Sequence, residues 1–270
     1  MRFLVTTVLT AFLTVAASAQ QTPLLNTGYR DMYNLQFDAA HQFFHSWETD
    51  HPEDPLGPAS DSAAYLFAEF DRLHVLESDL FTEDDKFANR SKLQPDESVK
   101  KSFNAQIERT NQLADQILAK DPKNADALFA KVLALGLQGD YAAMIEKRDL
   151  AGLGYMKTGR TLAEKLLALH SDYYDAYLAV GIENYLLSLR SAPMRWMLRM
   201  TGAQTDKQSG LEKLRITAYK GNYLLPFARM LLAVAALRDN DKLRAKNLLA
   251  GLAQEFPQNH LYAQELAKLN

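Results

Sequence analysis

Residues 119–143 read AKDPKNADALFAKVLALGLQGDYAA, and they carry a helix end, a tight turn and a complete second helix in order. Pro122 has no N–H to donate and pushes its predecessor away from helical angles, so Asp121-Pro122-Lys123-Asn124 closes one helix. Leu128, Val132 and Leu135, with Ala127 and Ala134, then recur at three- and four-residue intervals and predict one apolar helix face. Gly139-Asp140 reads as a breaker before Tyr141 opens the next helix.

The same phrase recurs on both sides. Upstream, Leu24 and Gly28 belong to one helix, and Phe37, Ala40, Phe44 and Trp47 mark a second that ends at His51-Pro52. Ser60 or Asp61 is expected to cap a third, Ala63 to Leu76. An acidic stretch without a period, Ser78 to Glu97, separates it from a long helix, Ser98 to Lys120. Downstream, the pattern runs from Tyr141 to His170 with a break expected near Gly152, resumes at Tyr177, and lapses again from Arg190 to Gln208. It returns at Leu211, and Phe227 to Val234, Ala245 to Leu252 and His260 to Leu269 complete the chain.

This layout resembles the tetratricopeptide repeat (TPR), a helix pair of about 34 residues that stacks into a superhelix. Gly28 fits the small residue that lets the paired helices approach. Tyr177, Val180, Gly181 and Asn184 repeat the spacing of Leu24, Thr27, Gly28 and Asp31. The segment WMLRMTGAQTDKQSGLEKL before a closing repeat that ends in FPQN is similar to exported bacterial TPR proteins. The resemblance implies an all-α, right-handed superhelix of four or five antiparallel helix pairs with a C-terminal capping helix. It also implies a binding or assembly scaffold of the cell envelope, with no catalytic residue to carry over.

The N-terminus reads as a leader. Arg2 is basic, Phe3 to Ala16 is apolar apart from threonines, and Ala17-Ser18-Ala19 is an A-x-A cleavage site. The expected organisation is therefore a signal peptide, 1–19, and one helical-repeat domain, 20–270. With 0 Cys the chain has no lipid-attachment cysteine and no disulfide, and no later segment is expected to span a bilayer, which places it in the periplasm or outside the cell. Hydrophobic residues make up 47% against only 12 Gly and 9 Pro, the composition of a folded helical protein. The 30 basic and 33 acidic side chains leave no basic excess, which argues against nucleic acid as a partner.

Chemistry is sparse. There is no phosphate-binding glycine loop, nucleophile elbow or H-E-x-x-H. His41 and His45 are four apart, with Glu48 and His51 beyond, a pattern able to hold a metal. Because Phe37, Ala40, Phe44 and Trp47 claim the core side of that helix, the histidines are expected towards solvent, and neither metal nor cofactor is expected. Glu69, Asp71, His74 and Glu77 are expected to be solvated, and Glu183 and Asn184 to serve as buried hydrogen-bonding groups.

Two functional surfaces remain. In a TPR superhelix the first helices line the concave face, which selects Leu25, Tyr29, Met32 and Tyr33, then Phe129, Leu133 and Leu137, then Leu178, Ile182 and Tyr185, and finally Phe227, Met230 and Val234. Hardly any is charged, so this groove is expected to hold a protein or peptide partner or an apolar ligand, or to be filled by the chain itself. The second surface is a short basic amphipathic helix around Arg195, Trp196, Met197, Arg199 and Met200. It is expected either to pack or to lie on a membrane surface. The leader reading predicts cleavage between Ala19 and Gln20: N-terminal sequencing of the exported protein returns Gln20, and recovery of Met1 would refute it.

Overall fold

The computed structural model describes residues 25–76 and 89–269; the expected signal peptide and most of the Ser78–Glu97 insertion lie outside them. Regular structure among the described residues is entirely helical. Twelve α-helices follow one another: α1 Asn26–Tyr33, α2 Phe37–Asp50, α3 Leu56–Arg72, α4 Glu97–Lys120, α5 Ala125–Asp140, α6 Asp149–Leu169, α7 Tyr177–Ser188, α8 Ala192–Met200, α9 Lys207–Lys220, α10 Leu225–Arg238, α11 Lys242–Glu255 and α12 His260–Ala267. They pack as neighbouring pairs, α1 with α2, α3 with α4, α5 with α6, α7 with α9 and α10 with α11, and α12 lies on α11. The two insertions fall between the first and second helices of the second and fourth pairs. Short polar side chains start the helices: Asp96, Asn124, Asp206, Asp241 and Asn259 each accept a bond from a backbone N–H in the first turn.

Three local expectations are corrected. α3 starts at Leu56, so Ser60 and Asp61 lie inside it; Pro58 is tolerated in its first turn, where N–H groups have no intrahelical acceptor. Gly139-Asp140 does not break α5, which continues into a π-helical turn, Tyr141–Ile145. The break comes at Glu146–Arg148, before Gly152, with Lys147 at φ 54°. Finally, the continuous helical stretch Ala125–Ile145, 21 residues, is long and apolar enough to cross a membrane, contrary to expectation. Its apolar character is used in the core, where Leu128, Phe129, Ala130, Val132, Leu133 and Leu137 are buried.

The first and last helix pairs of the described residues meet. Tyr223, in the turn between α9 and α10, stacks on Tyr29 of α1 at 5.0 Å between ring centroids and faces Phe129 of α5 at 6.4 Å. Phe227 reaches Phe67 of α3, and Phe256 reaches Tyr33. Polar bonds fix this contact: Tyr33 Oη donates to Tyr223 O (3.0 Å), Asn259 Nδ2 to Tyr33 O (2.8 Å) and the Gln258 N–H to Asn34 Oδ1 (3.2 Å). The Tyr223 turn is itself held by buried Asp175, whose carboxylate accepts from the N–H groups of Asn222, Tyr223 and Leu224. Burial raises the Asp175 pKa, and those three N–H bonds oppose the shift.

Helix approach is closest where glycine removes the side chain. A Cβ added to Gly28 would stand 2.4 Å from the Phe44 ring, as the repeat logic requires. At the α7–α9 crossing a Cβ on Gly210 would stand 2.6 Å from the Tyr185 amide nitrogen, and one on Gly181 would stand 3.0 Å from the Leu214 nitrogen. Backbone cannot yield as a side chain can, so Gly210→Ala is expected to destabilise by about 1–3 kcal/mol and more than Gly28→Ala. Gly136→Ala, which meets open space, is expected to stabilise by about 0.5–1 kcal/mol. Thermal melts that reversed this order would show that the crossing is looser than described.

Candidate functional site

The residues expected to line a concave groove are interior. Leu25, Tyr29, Met32, Tyr33, Phe129, Leu133, Leu137, Leu178 and Tyr185 are buried in one continuous core, and Ile182, Phe227 and Met230 pack against it partly covered. Val234 is half-buried. Among the described residues, Tyr223 in the turn before the last helix pair, with Phe227 and Phe256 of that pair, packs over these side chains. The closure of the described chain on itself explains the difference from an open superhelix, because these side chains face other core residues. One open depression, about 430 Å³, lies elsewhere, along Glu97, Lys100, Lys101, Asn104, Ala105 and Glu108 of α4.

Four of the exposed large apolar side chains, Met194, Trp196, Met197 and Met200, are gathered on α8. None of its residues is buried, and Trp196, Met197 and Met200 are 66%, 52% and 72% exposed. Trp196 and Met200 are one turn apart with Met197 beside them, and Arg195 and Arg199 form a second row at the same spacing. Arg195 donates to Arg190 O and Arg199 to Thr205 Oγ1, both neutral oxygens. The helix ends at Gly202, whose φ of 81° is readily available only to glycine. The expected amphipathic helix is therefore present, and its apolar side chains point away from the body of the protein.

Below α8 the chain is clamped. The buried Glu183 carboxylate of α7 accepts from Arg160 Nε (3.0 Å) and from the Gln204 N–H (3.2 Å) on the returning strand of chain. Arg160 also donates to Glu164 and to Gly202 O, and Gln204 bridges Glu164 and Asn184. Burial works against the Arg160 charge, yet Glu164 and Glu183 hold its pKa above the usual value. Glu183 and Asn184 thus have the structural hydrogen-bonding role expected of them.

The first insertion has the same root. Glu69 of α3 is buried, not solvated as expected. It pairs with Arg72 through two bonds of 2.8 and 2.7 Å and accepts from the Asp96 N–H (2.8 Å), where the chain re-enters α4. Burial of Glu69 was hidden in the sequence because its neighbours Asp71 and Arg72 make the local pattern read as a charged face.

His45 is exposed as expected, whereas His41 is largely covered. His41 and His45 both turn to α3 and reach Asp61, which is fully buried. Comparison with protein-family models, curated proteins and solved structures found no match.

The clamp under α8 carries an energetic expectation. Arg160→Leu leaves Glu183 buried without its cation, and such losses cost about 3–5 kcal/mol. Chemical denaturation should show a fall of that size and a partial recovery in the Arg160→Leu, Glu183→Gln double variant. Equal stability of the single variant and the native chain would refute the clamp.

Proposed function

We propose that this protein is a non-enzymatic scaffold of the cell envelope, a right-handed TPR-like superhelix closed on itself, that docks on anionic membrane surfaces through α8. The observation that carries this reading is the exposed Trp196, Met197 and Met200 beside arginines that have no carboxylate partner, on a helix with no buried residue. An amphipathic helix of this kind lies in the plane of a bilayer interface, with its aromatic and thioether side chains at the acyl boundary and its cations at the head groups. Each cation near an anionic surface contributes roughly 1 kcal/mol.

Charge favours this occupant over a protein groove. The whole chain has a net charge of -3, whereas Arg190, Arg195 and Arg199 cluster within ten residues that contain no acid. The sequence reading of an exported protein agrees, since export brings the chain to membrane surfaces. A protein partner seated along the first helices has less support, because those side chains are core.

Vesicle sedimentation tests the proposal. The full exported chain should co-sediment with vesicles containing phosphatidylglycerol, more weakly with phosphatidylcholine alone, and less as salt rises. Trp196→Ser with Met200→Ser should abolish binding and leave the melting temperature unchanged, since both side chains are already exposed. Failure of the native chain to bind anionic vesicles would overturn the membrane reading, and loss of stability in the variant would assign α8 to packing.

A further inference from the structure

The polar cluster between α2 and α3 has a composition that the repeat architecture does not call for. Asp61 has no exposed surface, and its two oxygens are approached from α2 and α4. His41 Nδ1 lies 2.5 Å from Oδ1, His45 Nε2 lies 3.1 Å from Oδ2, and Gln106 Nε2 donates to Oδ2 at 2.8 Å. The same Gln106 nitrogen donates to Glu48 Oε1 at 3.0 Å, which sets the two carboxylates side by side. Arg109 stands 3.5 Å from the other Glu48 oxygen, Oε2.

Count the fixed charges. Two carboxylates share this pocket with one permanent cation, Arg109, which reaches only the outer oxygen of Glu48. The remaining partners are an amide and two imidazoles, and an imidazole is cationic only when protonated. The two carboxylates therefore outnumber the permanent cations beside them among the described residues.

We infer that His45, Glu48 and Asp61 form a binding site for one first-row divalent metal ion, of which Zn²⁺ is the best fit. One ligand atom from each of the three lies within 4.8 Å of the others. Atoms bound to Zn²⁺ at 2.0–2.2 Å in a tetrahedron stand about 3.5 Å apart, so the ligands need close only slightly on an ion that displaces the Gln106 amide now bridging the two carboxylates. An imidazole nitrogen with two carboxylates is a donor set for zinc and its neighbours, whereas Ca²⁺ and Mg²⁺ take oxygen alone. His45 has a side-chain exposure of 53%, which leaves the fourth position open to solvent.

His41 is a positioning residue. It holds Asp61 Oδ1, the oxygen turned away from His45, and its ring packs on Tyr65 at 4.0 Å between centroids. A carboxylate that ligates a metal is itself held by hydrogen bonds from outside the metal's ligand set, and His41 contributes one to Asp61. The helix registry explains the arrangement: His41, His45 and Glu48 lie at four- and three-residue spacing on one face of α2, and α3 brings Asp61 to that face. The site would join the first helix pair to the second, and it is independent of the proposed membrane docking.

Calorimetric titration of the full exported chain with Zn²⁺ tests the inference, with Co²⁺ as a spectroscopic probe. The expected result is one Zn²⁺ per chain and, with Co²⁺, the visible absorption of a four-coordinate site. His45→Ala, at an exposed position that leaves the fold intact, and Glu48→Gln should each weaken binding by at least ~10-fold. His41→Ala should weaken it by about 10-fold to 100-fold and shift the Co²⁺ bands. His260→Ala, on α12, should bind as the native chain does. Absence of stoichiometric Zn²⁺ binding, unchanged affinity in His45→Ala, equal loss in His260→Ala, or Ca²⁺ competing as well as Zn²⁺ would each overturn it.

Discussion

Tyr223 lies between Tyr29 and Phe129, and the rest of the structure depends on that insertion. In an ordinary array of helical repeats each unit touches only its neighbours, and the inner face stays open to solvent. Here bonds such as that from Asn259 to Tyr33 O link positions 226 residues apart. The entropy of closing a loop grows only with the logarithm of its length, so so long a closure costs little more than a short one. What it gains is burial of Tyr29, Tyr33 and Phe256, with Tyr223 and Phe227 partly covered against them. α1 has eight residues, too few to persist alone in water, and its place is set by this contact and by α2. Asp175 makes the closure directional, since it fixes three successive amides of the turn that carries Tyr223.

Closure moves any binding function to the outside. Side chains that would line a groove in an open array become core, and the surfaces left with unmet chemistry are α8 and the α2–α3 face. Both are products of how the chain departs from simple pairing. α8 is an insertion between two paired helices, and the acidic pocket forms because α3 starts seven residues earlier than its sequence suggests, which places Asp61 inside the helix and against α2.

Elements with strong periodicity were legible from sequence, and contacts between distant elements were not. The helix pairs, the α8 helix and its end at Gly202 follow from local spacing and turn chemistry. Boundaries failed where two signals compete. Pro58 reads as a turn but is harmless in a first helical turn, and Gly139 reads as a breaker although it serves close packing, its added Cβ meeting Tyr155 at 3.3 Å. The groove residues were identified as a set, but apolar spacing is the same whether a face is covered or bare, and only the contact of Tyr223 with Tyr29 decides it. Asp61 reads as a helix cap and Gln106 goes unremarked for a similar reason: each is one polar residue on its own helix, and the site exists only where three helices meet.

The roots of the two insertions show a common solution. In each, a buried glutamate on the first helix of a pair, Glu69 or Glu183, holds an arginine and one amide of the chain returning to the second helix. A carboxylate satisfied in this way is stable only while the returning chain is in place, so it fixes the ends of the inserted segment whatever its length. For the docking proposed for α8 this has a consequence. A helix of nine residues is too short to hold its shape unaided. Anchored at Glu183, at Lys157 through Thr201 O and at the Asp206 cap, it meets a surface already ordered. The ordering entropy that a flexible segment would lose on docking is then met in folding, and more of the contact energy of Trp196 and its methionines is left for binding.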